Sequence, residues 1–515
     1  MGREKEYRQR LKYQVSSVKS KTLETQIAVK LRNELGMSHM ESQLLSRRMG
    51  QWLVREQGFR SPNQIVIEAS RGRGHFRRKG KASLKEIKIT PFSEEDLDLE
   101  FEYGLKTMQA ARIARMIEEA YTQDALLKVK QLTLLTNITP TSLRGRLAQL
   151  RKHGIYLPFL GMSKKARGEK TVLRSTWVLS RYLGGAPLGK VRAEAAMSKG
   201  RVEDILVSFS HLAEGLPTRP PLGSRELDEW SVLLKSTPKH TLKEMLPASS
   251  EPAAHEENEG EIEFELRTEY GMSPVKVRAV MQLFGELKSC LSGEREPNTV
   301  IYWAVSSGEP AGKPLEACAL VPVKLGFIEE KDVPDPKKDP DFNCVSDMKY
   351  KKAVRYATQA KYSGGYLTYA DLGYLLGIHP AAISELLQKQ RNIFIPLRGS
   401  ECDIGRGITH RRQILRLFME MYTETQIADR TGHSYESIEN YIKEFGTVML
   451  LKDRGLSVPL VRKVTGRSTR LIGAYLELLK EYSKPEYAFR LNYLRKIARN
   501  NNSQIKKKTN ESNER

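Results

Sequence analysis

The octet LRNELGMS at 31–38 returns as LRTEYGMS at 266–273, with six of eight letters kept and an offset of 235 positions. A chain that carries the same corner twice must fold the same segment twice, which limits its architecture more than any composition does. Gly36 is a natural left-handed stop for the helix before it. Ser38 and Glu41 spell a capping box for the next helix. In the second copy Ser273 caps and Pro274 takes the first helical position.

The correspondence continues beyond the corners. Each is followed by an amphipathic helix and then a β-rich patch, QIVIEA (64–69) or TVIYWAV (299–305). A Gly-containing loop leads on to KEIKITPF (85–92) or CALVPVKLGF (318–327), so each copy predicts a β-hairpin. NITPTSLRGRL (137–147) then matches GIHPAAISELL (377–387), with Ile138, Pro140, Leu143 and Leu147 standing for Ile378, Pro380, Ile383 and Leu387. YLPFLG (156–161) matches FIPLRG (394–399), and 178–209 aligns without a gap to 414–445. The offset stays between 235 and 240 throughout, so the chain is an internal duplication of about 23–210 and 262–447.

Several stretches have the pattern of two short helices joined by a tight turn, the helix-turn-helix unit. In TYADLGYLLGIHPAAISELLQKQ (368–390), Gly377 turns the chain between two apolar stripes, and NIFIPLRG reads as a following strand and turn, a winged version. TETQIADRTGHSYESIENYIKEF (423–445) and KDRGLSVPLVRKVTGRSTRLIGAYLELL (452–479) repeat the plan at a spacing of 34 residues. That period also suggests tetratricopeptide repeats, but their Trp, Leu-Gly and Tyr signature is missing. Five candidate units result, two per copy and one extra at the C-terminal end. Some could simply brace the chain, above all 368–390, whose outward Ala381, Ala382, Ser384 and Glu385 are small or acidic.

Charge singles out the first copy. Lys and Arg number 85 against 62 Asp and Glu, net +23. Residues 1–220 carry net +19, 221–261 carry −5, and 262–483 only about +3. Such a balance favours a polyanionic partner, with double-stranded DNA expected and RNA as the alternative. Thr141, Ser142, Arg144 and Arg146 project from the second helix of the first winged unit, where Arg can pair with guanine edges and Ser or Thr with bases or phosphates. Its wing tip offers Lys164, Lys165 and Arg167, and Lys199 and Arg201 follow in the next unit. Arg71, Arg73, Arg77, Arg78, Lys79 and Lys81 crowd the hairpin loop 70–83, which is expected to track phosphates, the plain alternative being a solvated loop. In the second half of the chain, reading would fall to Ser434, Tyr435, Ser437 and Asn440, or to Arg467, Thr469 and Arg470 of the extra unit.

Signals for chemistry are sparse. There is no P-loop, no H-E-x-x-H and no G-x-S-x-G. SEEDLDLE (93–100) reads as a solvated acidic turn rather than a metal site. Cys290, Cys318, Cys344 and Cys402 show no zinc spacing and read as thiols of a reducing compartment. No catalytic residue, metal or cofactor is expected. No apolar run is long enough to span a membrane and the first residues do not read as a secretory signal, so a cytoplasmic, nucleoid-associated location is expected. A transposase, recombinase or nuclease with a dispersed acidic site and a DNA-bridging or partition protein are the competing readings.

The stretches GKPLEACALVPVKLGF, LTYADLGYLLGIHPAAISELL, IPLRGSECDIGRGITHRRQIL, QIADRTGHSYESIENYIKEF and GLSVPLVRKVTGRS resemble the DUF1670 family, a prokaryotic domain of unknown function, over about 262–482. The first copy resembles it faintly and departs where TGHS reads AAMS (195–198). The resemblance implies tandem helix-turn-helix architecture and an association with mobile elements, and it brings no catalytic residues. The expected fold is mainly α, α+β: an internally duplicated module with a β-hairpin cap, winged helix-turn-helix and additional tri-helical helix-turn-helix units. The divisions are a basic arm (1–22), a first cap (23–104), a first winged and simple pair (105–210), an acidic linker (211–261), a second cap (262–349), units at 350–408, 409–447 and 448–482, and a basic tail (483–515). The expected role is a transcriptional regulator or mobile-element-associated DNA-binding factor.

Overall fold

Both copies of the duplicated segment fold to matching elements in the same order, except that the helix Glu95–Tyr103 of the first is answered by a short 3-10 turn, Glu330–Asp332, in the second. The computed structural model describes residues 2–55, 59–72, 83–160, 171–216, 224–245, 259–292, 295–309, 315, 318–333, 345–388, 395–401, 408–431, 435–467 and 469–499. The chain divides into one unit of 1–307 with 314–386 and another of 308–313 with 387–515.

The larger unit opens with α1 (Gly2–Lys19), α2 (Leu23–Leu35), α3 (His39–Arg55), β1 (Ile65–Arg71), β2 (Leu84–Ile89), α4 (Glu95–Tyr103), α5 (Leu105–Thr122), β3 (Ala125–Leu126), α6 (Val129–Thr136) and α7 (Pro140–Lys152). It goes on through α8 (Arg174–Leu183), α9 (Leu188–Ala195), α10 (Lys199–Ala213), α11 (Ser224–Ser236) and α12 (Lys239–Met245). The second copy then supplies α13 (Glu259–Thr268), α14 (Pro274–Ser292), β4 (Thr299–Ser306), β5 (Leu320–Gly326), α15 (Val345–Tyr362), β6 (Gly365–Tyr366), α16 (Tyr369–Leu376) and α17 (Pro380–Gln388). Each copy builds one antiparallel sheet, in the order β2-β1-β3 or β5-β4-β6. The octet corners form as their sequence requires: Gly36 takes φ 63°, and Ser38 and Glu41 exchange the two capping bonds.

The two copies pair with each other through equivalent atoms. Arg60 donates to the Arg295 carbonyl at 3.1 Å and Arg295 donates to the Arg60 carbonyl at 3.0 Å. The Val66 amide bonds the Pro297 carbonyl and the Ile301 amide bonds the Pro62 carbonyl, both at 2.8 Å. Phe92 meets its counterpart Phe327 with ring centroids 5.8 Å apart. This reciprocity is the signature of an isologous contact, here made between two parts of one chain. Above it α2 and α3 merge with α13 and α14 into one apolar cluster, where Ile27, Leu31, Leu45, Leu266, Val280 and Phe284 are buried beside Ile301 and Trp303 of β4. Each large aliphatic or aromatic side chain so buried stabilises by about 1.5–3 kcal/mol.

Buried charges repeat as well. In the first copy Arg115 grips Asp96 through both carboxylate oxygens at 2.7 and 3.0 Å; in the second, Arg355 grips Asp332 at 2.6 Å twice. Asp96 is wholly buried, so SEEDLDLE is not a solvated turn: it starts α4, and Asp96 accepts from the Ser93 amide and is clasped by Arg112 and Arg115. Burial pushes that carboxyl up, but the two guanidinium groups outweigh it and hold Asp96 below the usual range. The stretch read as an acidic linker also holds structure, since α11 and α12 pack on α8, with Trp230 against Phe209.

The smaller unit contains α18 (Arg398–Glu401), α19 (Ile408–Met419), α20 (Glu424–Thr431), α21 (Tyr435–Asp453), α22 (Val458–Thr465), α23 (Thr469–Glu481) and a last helix over 488–499. Of NIFIPLRG, expected as a strand and turn, 392–394 lie outside the described residues, Leu397 makes a β-bridge, and the last two residues open the helix Arg398–Glu401. Phe418, Ile438, Ile442, Phe445, Ile472 and Tyr475 make its core. The last helix closes on α21 at Gly446, where a β-carbon would sit 3.1 Å from the Leu494 carbonyl.

Candidate nucleic-acid interface

The arrangement that best fits a ligand is the α6–α7 pair. Leu132, Leu135, Leu143, Leu147 and Leu150 are buried, spaced three or four apart, so each helix turns one stripe inward. Asn137 makes the corner at φ 57°, a conformation its short polar side chain tolerates. Thr139 caps α7 by accepting the Ser142 amide at 3.3 Å, and Pro140 follows at the first turn. This geometry leaves Thr141, Ser142, Arg144, Gly145, Ala148 and Gln149 exposed along one face. Over the whole of α7 there is no acidic residue. Tyr156 pairs with Val172, and Lys128 with Leu160.

The second copy holds this pair from behind. Lys352 Nζ donates to the Leu134 carbonyl at 2.6 Å, and Asn137 Nδ2 donates to the Leu376 carbonyl at 3.2 Å. Gln109 donates to the Gly377 carbonyl at 3.0 Å while its own oxygen accepts from Arg146 at 3.2 Å. Arg146 is therefore half-buried and engaged with Gln109, whereas Arg144 is open to solvent. Gly377 has φ 67°, and a β-carbon there would approach Arg112 Nη1 to 3.1 Å, so both backbone and space favour glycine. Burial pulls Lys352 down to about 7.

The equivalent face of α17 is different. Ala381, Ala382 and Glu385 are exposed and Ser384 is half-buried, so this helix offers nothing cationic among them. The preceding helix, α16, carries a buried network at its start: Lys21 Nζ and Asp371 are 2.5 Å apart, and Tyr302 donates to Asp371 at 2.7 Å. Burial, then the Asp371 charge, push the Tyr302 hydroxyl well up.

The remaining candidate residues are scattered over other elements. Arg71 is exposed at the end of β1. Lys199 and Arg201 are exposed on α10, but Lys199 lies 3.6 Å from Glu203 and Arg201 neighbours Asp204, Glu119 and Glu226. Tyr435 and Asn440 are exposed on α21, Thr469 on α23, and Arg467 pairs with Glu444 at 3.2 Å. Arg73, Arg77, Arg78, Lys79, Lys81, Lys164, Lys165, Arg167 and Ser434, and the side chains of Ser437 and Arg470, lie outside the described residues. Sequence reasoning missed Gln109, Lys352 and the Lys21–Asp371–Tyr302 network. Arg115/Arg355 and Asp96/Asp332 keep the repeat spacing, so charged columns could have been read along with the apolar ones.

Among the described residues no group of three or more His, Cys, Asp or Glu side chains is placed to hold a metal ion, and no helix is long and apolar enough to cross a membrane. Glu94 is pushed up to about 7 by burial and then by the charge of Glu24. A family model described as a protein of unknown function, DUF1670, matches residues 45–213 and again 266–478. No curated protein and no solved structure matches the chain.

Proposed function

The chain belongs to the DUF1670 family, twice over, and because that membership carries no activity, we propose a function from the geometry: the first copy binds double-stranded DNA through the α6–α7 pair. One observation carries the reading. α7 turns Thr141, Ser142, Arg144 and Gln149 outward with no acidic residue among them, within the first 220 residues of the chain, which carry net +19. As a helix-turn-helix reader, α7 would lie in the major groove. Arg144 would meet a guanine edge, Thr141 and Ser142 bases or phosphates, and Gln149 an adenine if it reaches. The basic stretches 70–83 and 161–170 would supply phosphate contacts and so most of the affinity. A transcriptional regulator or a mobile-element-associated binding factor is the role that fits such a reader.

The test is selection of bound fragments from random and genomic DNA at near-physiological salt, followed by affinity measurements on Arg144→Glu. Enrichment of a motif by the native chain, with loss of preference in the variant, supports the reading. Equal retention of every sequence by both proteins overturns it.

A further inference from the structure

The two helix pairs of the smaller unit share a plan but not a charge. Over 423–440, which spans α20 and the start of α21, there are four acidic residues, Glu424, Asp429, Glu436 and Glu439, against one arginine. Glu436 and Glu439 are exposed where α21 would have to approach a duplex. Over 454–470, which spans α22 and the start of α23, there are five basic residues and no acidic one. Arg454, Arg462, Lys463, Arg467 and Thr469 are all exposed there. Gly466 makes the corner at φ 67°, and its amide closes α22 on the Arg462 carbonyl at 2.8 Å.

The acidic pair has a separate task, visible in Glu444. This residue of α21 is nearly buried; it accepts from Arg411 on α19 and from the Tyr475 hydroxyl on α23 and pairs with Arg467 in the corner before α23, each at 3.2 Å. It fixes the entry of α23 relative to α21 and α19. Arg467 keeps about half of its side chain in solvent while so held, so one of its donors is tied and others face outward.

We infer that the α22–α23 corner is a second duplex-DNA-binding surface, and that α20–α21 is the frame that holds it. The inference rests on the reading of the chain as a DNA-binding protein. A duplex fits better than a membrane surface: α22 is eight residues long, and only Leu460 and Val464 are exposed large apolar side chains on it, too little to bury in a lipid interface. Thr469 at the start of α23 would face bases or phosphates, with Arg462 and Lys463 on the backbone.

The experiment uses the full chain, a short labelled duplex and a salt titration. Arg462→Glu/Lys463→Glu should make the slope of log affinity against log salt shallower by about two, since each lost phosphate contact removes about 0.9. Glu436→Gln/Glu439→Gln should leave that slope within error of the native chain. A slope unchanged by the first double variant, or affinity gained by the second, overturns the inference. Both arginine and lysine are exposed, so thermal unfolding should match the native chain; if it does not, Arg462→Gln/Lys463→Gln takes its place. Arg144→Glu separates the two readings. If it has no effect while the α22 variant loses binding, the larger unit's assignment fails and this one stands, and the reverse pattern sinks this one alone. Binding to anionic phosphatidylserine vesicles but to no duplex overturns both.

Discussion

Thr141, Ser142 and Arg144 in the first copy stand where Ala381, Ala382 and Ser384 stand in the second. Both sets sit on helices of the same kind, behind the same corner, on equivalent sheets. The inner sides differ in the opposite sense. At the start of α16 the second copy buries Asp371 with its own Tyr302 and with Lys21 of the N-terminal arm; at the start of α6 the first copy has Gln131 at the Asp371 position, bonded to backbone at Lys128 and Glu68. β4 is buried over nearly its whole length, whereas β1 leaves Glu68 exposed. A homodimer would force both surfaces to change together. Once two copies share a chain, each can drift alone, so one can keep an open polar face while the other becomes the frame.

That division of labour can be broken by substitution. The largest effect is expected at Asp371: Asp371→Ala strands a wholly buried lysine and should cost about 3–5 kcal/mol in denaturant unfolding. A loss as small as that of Gln131→Ala would erase the distinction between the copies. Lys352 gives the next largest effect, and its sign is set by burial, which lowers its pKa to about 7. Below that pH both the folded and the unfolded amine are protonated. Between it and the normal lysine range only the unfolded state holds the proton, so stability rises with pH, by about 1.4 kcal/mol per unit. Unfolding free energies measured from pH 7 to 9 should therefore show a rise that Lys352→Met flattens; parallel curves would mean that Lys352 does not titrate there.

Arg144→Ala should weaken duplex binding by about 1–3 kcal/mol and relax preference at one base position. The matched change Ser384→Ala should leave binding untouched, and an equal loss would show that both copies read. The smallest effect is expected for Gln131→Ala, about 1 kcal/mol of stability for a lost cap, detectable as a modest shift in thermal midpoint.

Much of this division could be anticipated residue by residue. Gly36, Gly377 and Gly466 mark corners because a left-handed turn needs them, and all three adopt positive φ. Apolar spacing located α7, α17 and α23 because one stripe must face inward. Alternation and Gly-containing loops located both hairpins. The reading went astray where a polar residue is buried. SEEDLDLE looks solvated until Arg112 and Arg115, more than ten residues away, are brought onto Asp96. Arg146 looks as available as Arg144 until Gln109 is placed beside it. Over 211–261 the acidic composition concealed Trp230, which is buried against Phe209.

The sequence alone determined that one segment was used twice, where its corners fall, and that cationic charge gathers on the first copy, because these follow from local backbone preference and from counting. Only the tertiary structure decided that the copies clasp each other through Arg60 and Arg295, that Lys352 and Gln109 hold α6 and α7 in place, and which cations remain open to solvent. Partners of that kind are chosen by burial across more than two hundred residues of chain, and no local pattern records which charges will be taken out of water.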